Sequence, residues 1–177
     1  MSELQSFEGA TGTELTWERV KGGHGQYALS SAQELFATLK REKAFGSLFT
    51  GTAAAGTWTL KRTGFFHTRV TVRAAGGAQE LAVFSPHWNG SGTLEFPDGC
   101  RYSWAPASFW HQEWVLRDAA GADILRLRTG MTTAKGVLTI GPAAAKLAML
   151  PLLSVVAWYL LLLLSEDAAV VSAVAAS

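Results

Sequence analysis

The chain contains 177 residues, of which 49% are hydrophobic and only 16% are charged, and its formal net charge is +1. This length suits one domain with a substantial core, and the charged fraction is below the roughly 25% that is usual in soluble domains. So small a net charge excludes a protein that binds nucleic acids or other polyanions through bulk positive charge. The single cysteine, Cys100, excludes an internal disulfide and a cysteine-rich zinc site.

The N-terminal region, residues 1–13, is polar and contains glycine, so it is predicted to be flexible. It carries acidic and polar residues where a secretion signal would need a basic end followed by an apolar run. A cytoplasmic location is therefore predicted.

From Glu14 to Ile140 the sequence consists of short segments in which apolar and polar residues alternate, separated by turns rich in glycine. The Asp98-Gly99 pair is typical of a tight hairpin. The predicted strands begin with two short ones around Trp17 and Leu29 and continue at Ser47–Ala53, Thr57–Arg62, Phe65–Arg73, Glu80–Phe84, Thr93–Phe96, Cys100–Trp104, Phe109–Arg117, Asp123–Thr129 and Lys135–Ile140. About a dozen strands at a spacing of roughly 8–12 residues predict an all-β barrel or sandwich.

Segment Ala32–Lys43 fits two patterns. Leu35, Phe36 and Leu39 recur at the spacing of an amphipathic helix, whereas Leu35, Ala37 and Leu39 would share one face of a strand. A strand is favoured because the neighbouring segments are strands.

Segment Ala143–Leu164 is predicted to form a helix, since Pro142 suits a first turn and no charge follows Lys146 before Glu166. Its length would be about 33 Å, near that of a membrane span. A helix that is apolar on all sides must be surrounded by lipid or by protein. Residues 165–177 are predicted to be a weakly structured tail. If lipid surrounds the helix, the helix is a tail anchor, and the positive-inside rule places the body of the protein in the cytoplasm.

The other alternative places this helix inside the strands. A closed barrel of about a dozen strands is wide enough to enclose a helix. Without the helix, the inward side chains would have to fill a wide lumen alone, whereas the helix fills it at native packing density. We therefore predict a mainly β protein, a closed antiparallel barrel of about 12 strands enclosing one hydrophobic C-terminal helix, with the domain at 14–164.

This order of elements, together with the segments Gly56–Arg73 (GTWTLKRTGFFHTRVTVR) and Trp114–Leu127 (WVLRDAAGADILRL), resembles the tubby C-terminal-like superfamily. That superfamily includes phospholipid scramblases and the LURP-one-related proteins of plants. The resemblance implies a barrel threaded by its C-terminal helix and an association with lipid. Scramblase activity is not expected, because the calcium site and the palmitoylated cysteines of those relatives have no counterpart in this sequence.

The residues that could carry catalysis or bind metal form no recognisable site. The four histidines, His24, His67, His87 and His111, lack the short spacing of zinc ligands. Ser85, His87 and Asp98 are the residue types of a hydrolase catalytic triad, but the G-x-S-x-G turn that exposes the serine in such enzymes is absent from the sequence. There is no phosphate-binding loop, and Cys100 is predicted to be buried and inert. We therefore predict no catalytic residue, no metal and no cofactor.

The basic residues offer a better candidate site. Lys61, Arg62, Arg69 and Arg73 lie in a segment without acidic residues, and Arg126 and Arg128 share a face of a later strand. If the two strands were close on the barrel wall, these residues would form a basic face for an anionic head group, each adding about 1 kcal/mol near a charged membrane. The alternative is an ordinary solvated exterior.

The tryptophans are expected to fall into two groups. Trp58, Trp104, Trp110 and Trp114 are predicted to lie on strands and to pack against the helix. Trp88 lies in a polar loop and is predicted to be an exposed aromatic that meets a membrane interface or stacks on a ligand.

The leading functional hypothesis is a non-enzymatic barrel that binds anionic lipid head groups or another partner at the membrane surface, as a cytoplasmic and peripheral protein. The alternative is a tail-anchored membrane protein with a cytosolic β-domain for protein interaction. A small-molecule-binding barrel or an enzyme is the weakest hypothesis, because the helix would fill the lumen that a ligand needs.

Overall fold

The computed structural model describes residues 3–32 and 34–177. Its strands are β1 (Glu14–Arg19), β2 (Gln26–Ser31), β3 (Glu34–Arg41), β4 (Phe49–Ala53), β5 (Gly56–Thr63), β6 (Arg69–Ala74), β7 (Glu80–Pro86), β8 (Gly92–Glu95), β9 (Arg101–Pro106), β10 (Glu113–Arg117), β11 (Asp123–Thr129) and β12 (Lys135–Ile140). Each strand pairs antiparallel with the next in the chain, and β1 pairs with β12. The predicted closed barrel of about 12 strands is therefore confirmed.

The ambiguous segment Ala32–Lys43 forms strand β3, as favoured, with Gln33 outside the described residues. Ala37 and Leu39 point into the core, where both are fully buried. A helix here would break the ring between β2 and β4, because β3 pairs with both of them. Closure of the barrel therefore requires a strand in this segment, although the local pattern also fitted a helix.

Two predicted strands begin four residues later than expected. The predicted strand Phe65–Arg73 begins only at Arg69, and the predicted strand Phe109–Arg117 begins only at Glu113. Gly64 has a φ of +91°, and a Cβ there would lie 2.2 Å from the carbonyl oxygen of His67. The chain turns tightly at this point, which leaves Phe65 and Phe66 in a loop. Apolar alternation cannot distinguish such loop aromatics from strand residues.

The helix, α1, spans Leu150–Ala175, so both predicted ends are wrong. A helix over residues 143–164 would place Pro151 in its interior, where proline removes a hydrogen bond and clashes with the preceding turn. The structure instead places Pro151 in the first turn of α1, after a short 3₁₀ turn at Pro142–Ala144. Residues 165–175 extend the helix, because alanine favours helix and no new nucleation is needed.

The barrel encloses the first part of α1, as predicted. Every residue from Leu150 to Leu163 is buried. Trp17 of β1 stacks on Trp158 with ring centroids 5.7 Å apart, and Phe49 of β4 meets Tyr159 edge-on at 5.3 Å. Aromatic contacts from two different strands of the wall therefore hold the helix in the lumen.

Residues 3–13 pack against the barrel, in contrast to the flexible segment that was predicted for residues 1–13, of which residues 1 and 2 lie outside the described residues. The backbone N–H of Gln5 donates to the Leu35 carbonyl at 2.7 Å, and Phe7 meets Phe36 edge-on at 5.5 Å. Phe7 and Ala10 are each only 6% exposed. The apolar side chain of Phe7 thus anchors a segment whose polar composition suggested a free end.

The hydroxyl of Tyr159 gives a testable pH dependence. It donates to the Ser47 carbonyl at 2.6 Å, and burial raises the pKa of Tyr159 to about 12 from its ordinary 10.0. A pKa raised in the folded state means that the neutral phenol stabilises the fold fully below pH 10. This stabilisation is lost as the pH rises towards 12. The expected loss is about 2–3 kcal/mol.

The measurement is the free energy of unfolding in urea at several pH values between 9.5 and 12. The Tyr159→Phe variant should be about 1 kcal/mol less stable at neutral pH, because the Ser47 carbonyl loses its donor. It should also show a flatter decline above pH 10, because the other titrating groups are common to both proteins. Identical pH slopes for the two proteins would contradict this assignment.

Candidate functional site

The two ends of the barrel differ in their loops. One end, the upper rim, consists of the loops β1–β2, β3–β4, β5–β6, β7–β8, β9–β10 and β11–β12. The other end, the lower rim, consists of the remaining hairpin turns. Every large hydrophobic side chain that is exposed in the described loops lies on the upper rim, namely Val20, Phe45, Phe65, Phe66, Trp88, Phe109, Trp110 and Met131. The lower-rim turns contain mainly alanine, glycine and polar residues, as in Ala75-Gly76-Gly77 and Pro97-Asp98-Gly99.

Most of these rim side chains are almost fully exposed. Phe45, Phe65 and Trp88 are 93%, 90% and 98% exposed, and Met131 is 97% exposed. Phe65 and Phe66 contact each other edge-on, as do Phe109 and Trp110. Single exposed apolar residues are common on protein surfaces, but a ring of them at one end is typical of an interaction surface.

The upper rim is also where α1 leaves the barrel. Residues 168–175, the projecting segment, are exposed and helical and contain no charged residue. Val170, Val171 and Val174 are 63%, 69% and 70% exposed. The hydroxyl of Ser172 donates to the Ala168 carbonyl at 2.9 Å, so it needs no outside partner. An apolar helix end therefore rises from the middle of the aromatic loops.

Polar contacts mark the point at which α1 leaves the barrel. Arg41 at the end of β3 pairs with Glu166, and Arg62 near the end of β5 pairs with Asp167 at 2.8 Å. These two ion pairs divide α1 into a buried part and the projecting segment.

Several cations surround this end. Lys21, Lys43, Lys61, Arg128 and Lys135 are all exposed on or beside the upper rim. Within the described residues none of the five makes an ion pair. Two of them, Lys61 and Arg128, belong to the basic set predicted from the sequence.

The structure does not bring the predicted basic residues together on one face. Four strands separate β6 from β11 in the ring, so Arg126 and Arg128 lie far round the wall from Arg69 and Arg73. The condition that the two strands lie near each other is therefore not met. Lys61, Arg62 and Arg69 instead share the upper part of β5 and β6.

Most of the predicted arginines have acidic partners. Arg69 and Arg73 both approach Glu80 at 3.4 Å, and Arg126 pairs with Glu113 and Asp123. Burial alone would raise the pKa of Asp123, but hydrogen bonds from Arg126 and Arg117 outweigh it and hold the pKa below its ordinary value. Arg126 thus belongs to a wall network that supports the fold and is poorly placed to receive an anion.

Trp88 lies at the mouth of a cavity of about 460 Å³ between α1 and the wall formed by β5, β6 and β7. Its inner lining is apolar and includes Val70, Phe84, Leu160 and Leu163, which are at most 5% exposed. Its mouth is formed by the charged and polar residues Arg62, Thr68, Arg69, His87, Asn89 and Asp167 together with Trp88. The predicted residues Arg62, Arg69 and Trp88 thus share one site, although they lie on different elements.

The side chains considered for chemistry remain apart. His87 lies on the upper rim, whereas Asp98 lies in the β8–β9 turn of the lower rim, so they cannot form a triad with Ser85. No three metal-ligating side chains converge within residues 3–32 and 34–177. Cys100 is exposed, in contrast to the buried thiol that was predicted. A hydrogen bond with Asp98 raises the pKa of Cys100, which keeps the thiol protonated.

Trp110 is the tryptophan whose predicted position is wrong. Trp58, Trp104 and Trp114 are buried, and Trp104 stacks on Trp114 at 5.3 Å, whereas Trp110 is 78% exposed on the upper rim. The rim was not predicted because four of its aromatic residues, Phe65, Phe66, Phe109 and Trp110, fell inside predicted strands. Gly64, a residue typical of turns, was the signal that could have placed Phe65 and Phe66 in a loop and not in a strand.

Helix α1 is also long and apolar enough to cross a membrane by length and composition, although 56% of its most apolar window is buried inside the barrel.

The fold is similar to the X-ray structure of AT5G01750, a LURP-one-related protein from Arabidopsis thaliana. The two share 13% sequence identity and a TM-score of 0.56, over 81% of this chain and 88% of the Arabidopsis chain. No protein-family model matches the chain. No curated protein matches it in sequence.

Proposed function

We propose that the protein is a non-enzymatic, tubby-like barrel that docks on the cytoplasmic surface of a membrane through its upper rim and binds anionic lipid there. One observation carries this proposal: the exposed large hydrophobic side chains occur at one end of the barrel, around an apolar helix end. The similarity to a LURP-one-related structure supports the barrel fold, and the lipid function rests on the rim itself.

The chemistry of the rim loops suits the interface between head groups and acyl chains. Tryptophan is enriched at this depth, because its ring is apolar and its indole N–H is polar. Phenylalanine rings can enter slightly deeper. Transfer of one such side chain from water to an apolar environment contributes about 1.5–3 kcal/mol, so a few rings suffice for measurable binding.

The projecting segment matches the thickness of one leaflet. Eight helical residues extend roughly 12 Å, and half of a hydrocarbon core is about 15 Å. The backbone groups of a helix are satisfied internally, as the bilayer requires, except for the carbonyls of its last turn. The segment can therefore enter the near leaflet at a tilt that leaves its last turn in contact with the polar head groups.

The exposed cations favour a negatively charged membrane. Behind the aromatic tips they follow the arc of the ring from β11 through β12 and β1 to β5, in the order Arg128, Lys135, Lys21, Lys43 and Lys61. In a docked orientation they would meet the head groups. Each basic residue near such a surface contributes about 1 kcal/mol, so anionic lipid should be preferred.

A tail anchor, the alternative, would require a different structure. To span the bilayer, residues 150–163 would have to leave the barrel, where all of them are buried. The stacked contact between Trp17 and Trp158 would be lost, and the lumen would be empty. Docking by the rim uses the apolar end of the same helix and keeps the barrel filled.

Vesicle flotation with the full chain tests the proposal. The wild-type protein should float with vesicles that contain phosphatidylserine, and should float less with phosphatidylcholine alone. The Phe65→Asp/Phe66→Asp variant should lose at least tenfold in partitioning, because two exposed rings are replaced by charges that anionic lipid repels.

The matched control is Ala119→Asp/Ala120→Asp, which adds the same two charges at exposed positions of the lower rim. This variant should float like the wild type, since the lower rim faces away from the membrane. Equal losses in both variants, or no flotation of the wild type, would refute docking by the upper rim.

A further inference from the structure

All four histidines of the chain lie at the upper rim, although they are far apart in sequence. They occupy four different loops, with His24 in β1–β2, His67 in β5–β6, His87 in β7–β8 and His111 in β9–β10. All four are exposed. Histidine is the side chain that ordinarily gains its charge between about pH 8 and pH 5. The titration of histidine in this pH range is therefore confined to one end of the barrel.

Three of the histidines adjoin exposed aromatic residues of the rim. The pairs are Phe66-His67, His87-Trp88 and Trp110-His111. An aromatic ring that enters the membrane interface brings the neighbouring imidazole to the level of the head groups. The charge of these imidazoles would then bear directly on docking.

The surroundings of His87 leave one ring nitrogen free to gain a proton. Its Nδ1 lies 3.2 Å from the Ser91 hydroxyl, which donates its own hydrogen to Oδ1 of Asn89 at 2.6 Å. The Ser91 oxygen therefore accepts from Nδ1, and Nε2 is the nitrogen that titrates. The charged groups that face His87 across the cavity mouth are Arg62, Arg69 and Asp167.

His24 lines a depression between α1 and the loops that follow β1 and β3. The charged groups around the same depression are Arg19, Arg41, Glu42, Lys43 and Glu166. Glu166 pairs with Arg41, and Glu42 accepts a hydrogen bond from Thr50. Cations thus outnumber carboxylates around His24, and the nearest carboxylates already have partners.

The other two histidines also lack an acidic partner. The loop of His67 contains no charged residue before Arg69, which contacts Glu80 at 3.4 Å. The ring of His111 lies 6.0 Å from that of Trp114, and the nearby Glu113 pairs with Arg126 at 2.8 Å.

No histidine makes an ion pair within residues 3–32 and 34–177. The negative charge that these imidazoles can meet is therefore mainly that of a membrane.

On the basis of the membrane docking proposed above, we propose that the four histidines make this docking pH-dependent, with tighter binding to anionic membranes as the pH falls. Protonation adds up to four positive charges to the rim that faces the membrane. The formal net charge of +1 counts the histidines as neutral, so this change is large for the chain. Each added charge near an anionic surface contributes about 1 kcal/mol.

The test is flotation of the full chain at several pH values between about 8 and 5.5. The vesicles contain phosphatidylglycerol, whose phosphodiester keeps its charge throughout this range, so that only the protein titrates. Partitioning of the wild type should rise at least tenfold as the pH falls, because two added charges already suffice for that factor. Vesicles of phosphatidylcholine alone should show little change.

Replacing all four histidines by glutamine should remove this pH dependence. Glutamine is polar and does not titrate, so the variant should bind at every pH as the wild type does near pH 8. Circular dichroism of both proteins across the range checks that the barrel stays folded.

The matched control returns titrating groups to the other end of the glutamine variant. Ala119→His/Ala120→His adds two histidines at exposed positions of the lower rim. The pH dependence should stay absent, since these charges face away from the membrane.

The possible outcomes separate this inference from docking itself. Wild-type protein that floats equally at every pH would overturn the pH dependence and leave rim docking intact. The same conclusion would follow if the glutamine variant kept the wild-type pH profile, or if the two lower-rim histidines restored it. Absence of flotation at every pH would overturn docking and the pH dependence together.

Discussion

Replacing Val156 by arginine should unfold the protein. Val156 lies in the buried part of α1 and is fully inaccessible to solvent. It is six residues from the start of the helix and more than two turns below the ion pair at Asp167, so the guanidinium cannot reach water at either end without disturbing the barrel. An uncompensated buried charge costs about 3–5 kcal/mol beyond the lost packing, which approaches the whole stability of a domain.

Val171→Arg provides the control, because it is the same substitution on the same helix. Val171 is 69% exposed in the projecting segment, so the free energy of unfolding should change by less than about 0.5 kcal/mol. Urea unfolding of both variants without detergent measures the difference. A folded Val156→Arg protein with wild-type stability would show that this part of α1 does not occupy the lumen.

A double-mutant cycle at Gly51 and Val155 should show directly that the helix lies against β4. A Cβ at Gly51 would lie 2.3 Å from Cγ1 of Val155, so Gly51→Ala should destabilise the fold by about 1–3 kcal/mol. Val155→Ala alone should cost about 2 kcal/mol through a cavity. In the double variant the alanine methyl at residue 51 occupies the space that the valine vacates.

The measured quantity is the coupling free energy of the double-mutant cycle. The double variant should be at least about 1 kcal/mol more stable than the sum of the single changes implies, because the two residues are in contact. Gly130→Ala is the control, since a Cβ there has nothing within 4 Å, and it should be nearly neutral. Simple additivity at residues 51 and 155 would place the helix elsewhere.

The two ends of the barrel suggest how stability and binding are divided. At the lower rim, Phe7 and the connection before α1 close the barrel, and the turns are short. At the upper rim the loops hold bulky side chains that contribute little to the core. Loops of this kind can change without loss of the fold, which suits them to recognition.

Much of the architecture follows from local patterns. Alternation and glycine turns indicated the strands from β1 to β12, and the apolar run after Lys146 indicated one helix. The predicted ends of that helix were wrong, because Pro151 cannot stand in a helix interior and the alanines after Asp167 can extend a helix. Both facts are present in the sequence, and local physical chemistry accounts for them.

The candidate site depended on tertiary structure to a greater degree. The sequence proposed a basic face from Arg69, Arg73, Arg126 and Arg128, but ring order separates β6 from β11, and acidic partners meet several of these charges. Trp88 and Arg69 lie on different elements, and only closure of the barrel around α1 places both at one cavity.

The sequence by itself determined a β-barrel with one hydrophobic helix, because alternation and apolar length are local properties of the chain. The packing argument favoured a buried helix, but only the tertiary structure decided that it lies inside the barrel up to Leu163 and outside it after Asp167. It also decided that Phe45, Phe65 and Trp88, distant along the chain, share one rim. In an antiparallel barrel every second loop lies at the same end, so a surface of loop tips arises from strand order and leaves no contiguous motif in the sequence.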